Sequence, residues 1–213
     1  MKKLAFSFLM IFGFINSGFS QNLAINNLSK VVKEEAWKGL SYLNEVHDIL
    51  SFIYRDPFKE NYIHTIPAGY PLDRDIHINS FYGSRNHPVH KVTRFHRGID
   101  LEGGVGEKVL ATGDGVVLEA GFKKDIGNYV RIRHQYGFES VYGHLSKIAV
   151  KRGQKISDRQ LIGKVGATGT VTGPHLHYTL KKNSQFIDPF DFLFLDSGSE
   201  GISFQWHQKG TLA

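Results

Sequence analysis

The chain has 213 residues, no cysteine, and a formal charge of +6 from 26 Lys and Arg against 20 Asp and Glu. That length suffices for one ordinary domain plus modest extras, and the lack of thiols excludes disulfides, thiolate metal ligands and lipid attachment through cysteine. Mild basicity with no basic run interleaved with aromatics suits an anionic polymer such as a cell wall and excludes a nucleic-acid partner.

Residues 1–20 have the layout of a secretory signal peptide. Lys2 and Lys3 precede an apolar run from Leu4 to Ile15, broken only by Ser7 and Gly13, and Gly18-Phe19-Ser20 ends in a small residue. The run is shorter than the roughly 20 residues a membrane span needs, so we expect cleavage after Ser20 and membrane contact only during export. Without Lys2 and Lys3 the charge falls to +4. The exported chain then acts in a periplasm or outside the cell, at the wall.

Residues 21–79 read as a helical segment and linker. Leu28, Val31, Val32, Trp37, Leu40, Leu43, Val46, Ile49, Leu50 and Ile53 recur at helical spacing with charged residues between them, predicting helix over 23–54. Gly39 can split it, and Asp56-Pro57 ends it. Such a helix packs on the main domain or serves as a regulatory segment lying across the active site. Residues 66–75, with Pro67, Gly69 and Pro71, read as linker.

From residue 80 to 193 short β-prone runs alternate with glycine turns. Val130 and Ile132 alternate with Arg131 and Arg133, the two-residue period of a half-buried strand. Many short strands with no strand–helix–strand alternation predict a mainly β fold, a compact antiparallel sheet or barrel-like sandwich with a substrate groove, preceded by the short helical segment. Residues 194–213, rich in Ser and Gly, read as a loosely ordered tail.

Within this β region lie His96 and Asp100 (FHRGID), His144 (VYGHLS), and His175 and His177 (GPHLHY). Imidazole and carboxylate are the usual ligands of zinc, and a catalytic zinc keeps three protein ligands and one open position. In a strand His175 and His177 share a face, so both can reach one site: either both ligate, or one ligates and the other contacts the attacking water. His96 and Asp100 on a straight strand stand roughly 13 Å apart, too far for one ion. A bend must join them, and Gly98 is able to supply it. This places His96 in a loop and Asp100 near a strand start. His47, His64, His77, His87, His90, His134 and His207 carry no ligand spacing and read as structural.

The ordered set HxxxD, a lone His before Leu-Ser, and HxH, within SFYGSRNHPVHKVTRFHRGIDLEG, VYGHLSKIAVKRGQKI and QLIGKVGATGTVTGPHLHYTLKKN, resembles the lysostaphin-type, LytM-like zinc metalloendopeptidases of peptidoglycan. The resemblance runs from about Ser80 to Leu193 with no departure at a functional position. It implies one Zn2+ held by His96, Asp100 and His177, with His144 and His175 flanking the attacking water. It also implies peptidoglycan peptides as substrate. Arg85 is a candidate for pairing with a substrate carboxylate or for tying down its own loop, and Tyr82 for packing in the core or for donating to the tetrahedral intermediate. Some relatives have lost zinc ligands and activate cell-wall amidases instead; a silent module of that kind lacks ligands that are all present here.

Overall fold

The structure, a computed structural model, describes residues 37–56, 59–86 and 93–195, except for the side chains of Asn61, Arg85, Asn86, Thr93 and Arg94. The expected signal peptide, residues 21–36, His87, His90, His207 and most of the tail lie outside the described residues. The chain divides into two compact units, 1–40 and 41–213. In the second unit, helix α1 (Val46–Arg55) buries Ile49, Leu50 and Ile53 at the predicted spacing. No continuous helix spans the described part of 23–54: a 3-10 turn occupies Gly39–Tyr42, and residues 43–45 are not helical. No helix among the described residues is long and apolar enough to cross a membrane.

Among the described residues thirteen strands follow: β1 (Ile78–Ser80), β2 (Gly83–Asn86), β3 (Thr93–His96), β4 (Ile99–Glu102), β5 (Lys108–Leu110), β6 (Gly115–Lys123), β7 (Gly127–Arg133), β8 (Phe138–Leu145), β9 (Lys147–Ile148), β10 (Lys155–Ile156), β11 (Leu161–Lys164), β12 (His175–Lys182) and β13 (Gln185–Ile187), before the short helix α2 (Phe190–Leu193). The main sheet has the order β1-β4-β12-β8-β7-β6-β10, with β13 also on β12, and every pairing is antiparallel. A three-stranded sheet β5-β11-β9 and the β2–β3 hairpin complete the fold.

The sheet works by its two-residue period. Along β12, Leu176, Tyr178 and Leu180 are buried in the core, while His175, His177 and Lys181 line a groove on the other face. On β7, Val130 and Ile132 are fully buried, with Arg131 half-buried and Arg133 exposed, as the alternation predicts. Each Leu, Ile or Val so buried contributes about 1.5–3 kcal/mol, which commits the other face of the same strands to the groove.

Residues 66–75 differ from the expected linker. Ile66 and Leu72 are fully buried, the Ala68 N–H donates to the Thr112 carbonyl at 2.7 Å, and Leu72 bridges to Val109. Pro and Gly here turn the backbone without removing it from the core. The first residues of the expected loose tail also pack: Leu195 is buried, and the Phe194 ring lies edge-on to Tyr70 at 5.7 Å.

Candidate metal centre

Strand register assembles the site. In the β4–β12 pair His177 stands opposite Asp100, and in the β8–β12 pair it stands opposite Gly143. His96 ends β3, the chain bends at Arg97-Gly98, and Asp100 is the second residue of β4. His96 is therefore a strand-terminal residue, not the loop residue expected, while Asp100 does lie at a strand start. Gly98 is needed at the bend for space: a Cβ there would sit 2.5 Å from the Tyr178 carbonyl oxygen and 2.9 Å from the His177 ring. His144, next to Gly143 on β8, has a left-handed φ of 59°, and its N–H donates to the Ile126 carbonyl at 2.8 Å. Such a backbone costs about 1–3 kcal/mol for a non-glycine residue and is found where a side chain has to be aimed.

Three ligand atoms converge. His96 Nε2 is 3.1 Å from Asp100 Oδ1, His177 Nδ1 is 2.8 Å from the same oxygen, and the two ring nitrogens are 3.1 Å apart. His175 Nε2 is 3.6 Å from Asp100 Oδ1, and the His144 ring stands against that of His175 at 4.7 Å between centroids. The far nitrogens are also engaged. His96 Nδ1–H donates to the Phe81 carbonyl (2.8 Å), His144 Nδ1–H to Thr168 (2.8 Å) and His175 Nδ1–H to Gly173 (2.9 Å). His177 Nε2 is paired with the Thr179 hydroxyl at 3.1 Å. A carbonyl only accepts, so the neutral rings of His96, His144 and His175 carry their lone pair on Nε2.

This geometry fits a metal ion. For a tetrahedral ion with ligands at about 2.0–2.1 Å, adjacent ligand atoms lie about 3.3–3.4 Å apart, close to the 2.8–3.1 Å edges of this triangle. Asp100 Oδ1 and His96 Nε2 are acceptors, and so is His177 Nδ1 in the tautomer whose Nε2–H donates to the Thr179 hydroxyl; a proton can bridge one pair, whereas a divalent cation satisfies all three at once. Two imidazoles and one carboxylate suit zinc or another divalent transition ion. The outer partners Phe81 and Thr179 orient the ligand rings, as second partners do in metal sites.

Burial sets the electrostatics. It works to raise the Asp100 carboxyl, but the His177 and His96 rings against it outweigh burial and hold the group below the ordinary carboxylate value. Burial pushes His177 down, and it pushes His144 down to about 4, against the opposing pull of the Thr168 carbonyl. His144 is thus a neutral imidazole at ordinary pH.

The groove around the site encloses about 730 Å³ and extends along the sheet past Thr179 and Val141 to Lys181, Phe186 and Arg131. Tyr82 does not line it. Its hydroxyl donates to the Phe186 carbonyl at 3.1 Å and its ring meets Phe95 edge-on at 5.0 Å, which ties it into the scaffold. The Arg85 side chain lies outside the described residues. His47, His64 and His77 are exposed and do not line the groove, and His134 is buried between the Asp114 carbonyl and the Ser140 hydroxyl. Sequence reasoning missed Thr179 and Lys181, although HLHYTLK places them on the face of His177 by the same two-residue period. Phe81, Thr168, Arg97 and Phe186 had no local signal, since register alone brings them in.

A β-sheet groove floored by two histidines and an aspartate is a site able to hold a divalent metal ion. The model of peptidase family M23 matches residues 94–189. The chain is 47% identical over 112 residues to the peptidoglycan DD-endopeptidase ShyA of Vibrio cholerae, covering 52% of this chain and 26% of that protein. It is 43% identical over 112 residues to the DD-carboxypeptidase/endopeptidase Mpg of Neisseria meningitidis, covering 53% and 26%. Among solved structures it resembles the catalytic domain of lysostaphin from Staphylococcus simulans (32% identity, 55% of this chain and 92% of that one, TM-score 0.51). It also resembles a zinc-containing peptidase from Vibrio cholerae (36% identity, 62% and 40%, TM-score 0.55). The chain belongs to peptidase family M23. It spans about a quarter of the length of these two curated relatives.

Proposed function

We propose that this protein is an exported, zinc-dependent endopeptidase that hydrolyses peptide bonds in peptidoglycan, with one zinc ion held by His96, Asp100 and His177. The observation that carries the reading is the triangle of three ligand atoms at the floor of an open groove, with two further imidazoles beside it. The names of the relatives support the substrate class and a bond of the DD-endopeptidase type. The signal-peptide layout of residues 1–20 supports export to a periplasm or the cell exterior.

When bound, zinc supplies Lewis acidity that brings a water to a pKa of about 7 and polarises a carbonyl. The chain's own residues handle the protons. His144 and His175 each keep Nδ1–H on a backbone carbonyl, which leaves Nε2 free to accept the proton of the attacking water. The same nitrogen, once protonated, donates to the developing oxyanion or to the leaving amine. Val141 and Thr179 on the groove floor offer an extended peptide a surface between the metal site and the cationic end.

The test is metal content and wall digestion on one sample of residues 21–213, with purified peptidoglycan chromatographed after incubation with and without a chelator. About one zinc per chain and chelator-sensitive loss of cross-linked fragments are expected, as for a three-ligand catalytic site. A protein carrying zinc that leaves every cross-link intact overturns the catalytic assignment.

A further inference from the structure

We propose that Arg97 and Lys181, both placed over the ring of Phe186, form a subsite for a carboxylate group of the substrate peptide; this rests on the peptidase reading of the metal centre. The sheet builds the pair. β4 pairs with the first half of β12 (Tyr178↔Ile99) and β13 with the second half along the same edge (Leu180↔Ile187). The Arg97-Gly98 turn enters where the two meet, with Gly98 against the Tyr178 carbonyl. Arg97 therefore adjoins Phe186, which is itself opposite Lys181. The Arg97 guanidinium lies 5.0 Å from the Phe186 ring centroid and the Lys181 ammonium 4.6 Å from the same centroid.

Charge pairing separates these two cations from the others that line the groove. Arg131 sits between Glu119 (2.5 Å) and Glu139 (3.4 Å), and Lys123 reaches Glu119 at 3.2 Å. Lys181 faces Glu139 in register, yet that carboxylate is on Arg131 and Lys181 turns to the ring. Among the described residues neither Arg97 nor Lys181 has a carboxylate within 4.0 Å. Both cations lie within 5.0 Å of one ring centroid and line one groove, so each raises the energy of the other, and a carboxylate that reaches both offsets that repulsion. The guanidinium offers the fork that fits a carboxylate. Arg97 follows the ligand His96, and Lys181 is four residues along β12 from His177, about 13 Å by strand rise. The bound carboxylate thus lies one to four residues from the scissile bond, on the side of the groove away from His144.

The test compares two forms of one substrate: a cross-linked peptide dimer released from purified peptidoglycan, and the same dimer with its carboxylates converted to carboxamides by carbodiimide and ammonia. Wild-type protein is expected to cleave the amidated dimer with kcat/KM at least 10-fold lower, mostly through KM. The Arg97→Gln, Lys181→Gln double variant should cleave both forms at rates within twofold of each other, with zinc content and melting temperature matching wild type. If the double variant folds poorly, Lys181→Gln alone should shrink the discrimination about threefold. Equal cleavage of both dimers by wild type, or an unchanged preference in the variants, overturns the subsite and leaves the peptidase reading intact. Failure of zinc-loaded wild type to cleave either dimer overturns that reading, and the subsite with it.

Discussion

His177 lies directly across the antiparallel β4–β12 pair from Asp100, with Nδ1 2.8 Å from Oδ1. Two of the proposed ligands are thereby set by backbone pairing, and the third, His96, is brought to them by the bend at Arg97-Gly98. Asp100→Ala and His177→Ala are expected to lose both bound metal and hydrolysis. His144→Ala should retain the metal, measured as zinc per chain, while turnover falls about 100-fold or more for a lost acid–base group. Zinc loss in His144→Ala would show that the ligand and helper roles are assigned wrongly.

The partner of His177 on its far side is the Thr179 hydroxyl, 3.1 Å from Nε2. Thr179→Val keeps the shape and removes that oxygen. Metal affinity should weaken about 10- to 100-fold, as for other lost ring-orienting partners. A competitive chelator titration measures it, and an unchanged affinity would remove Thr179 from the site.

Gly98 makes the closest approach at the bend. In Gly98→Ala the new methyl meets the Tyr178 backbone and the His177 ring, and the backbone oxygen is not free to move aside. A stability loss of about 1–3 kcal/mol is expected from overpacking, together with weaker metal binding, because His96 and His177 are pushed apart. Denaturant melts alongside zinc content separate the two effects.

His134 supplies a pH dependence remote from the site. Burial pushes it down to about 4 from its ordinary 6.5, against the pull of the Asp114 carbonyl. Between those values the unfolded chain binds a proton that the folded chain does not. The stability contribution is therefore complete above pH 6.5 and is lost as pH falls, by about 3 kcal/mol in total at pH 4. Denaturant melts across pH 4–7 should show that slope, and His134→Gln should flatten it while costing about 1–2 kcal/mol at pH 7 for the lost hydrogen bonds. Parallel curves for the two proteins would sink this explanation.

Periodicity and residue chemistry made much legible in the sequence. The alternation of Val130 and Ile132 with Arg131 and Arg133 gave away a half-buried strand, and the helical stripe gave away Ile49, Leu50 and Ile53, because both depend only on the geometry of the local backbone. The five side chains of the site were named from ligand chemistry and from the family resemblance that their ordered motifs carry, and the fold joins them in one place. By itself the sequence determined which residue types were available, and that a bend at Gly98 had to bring His96 to Asp100.

Only the tertiary structure decided where the surrounding groups fall. Residues 66–75 look like a linker by their Pro and Gly content, yet Ile66 and Leu72 complete the core, since burial depends on what packs above them. The sequence left Tyr82 between a donor to the reacting group and a packed side chain, and in the fold its hydroxyl is tied to Phe186, 104 residues away. Arg97, Phe186 and Lys181 become neighbours only through the pairing of β4 and β13 along one edge of β12. Local sequence sets the backbone period; long-range register, fixed by the sum of many side-chain contacts across the sheet, sets which charges share a groove.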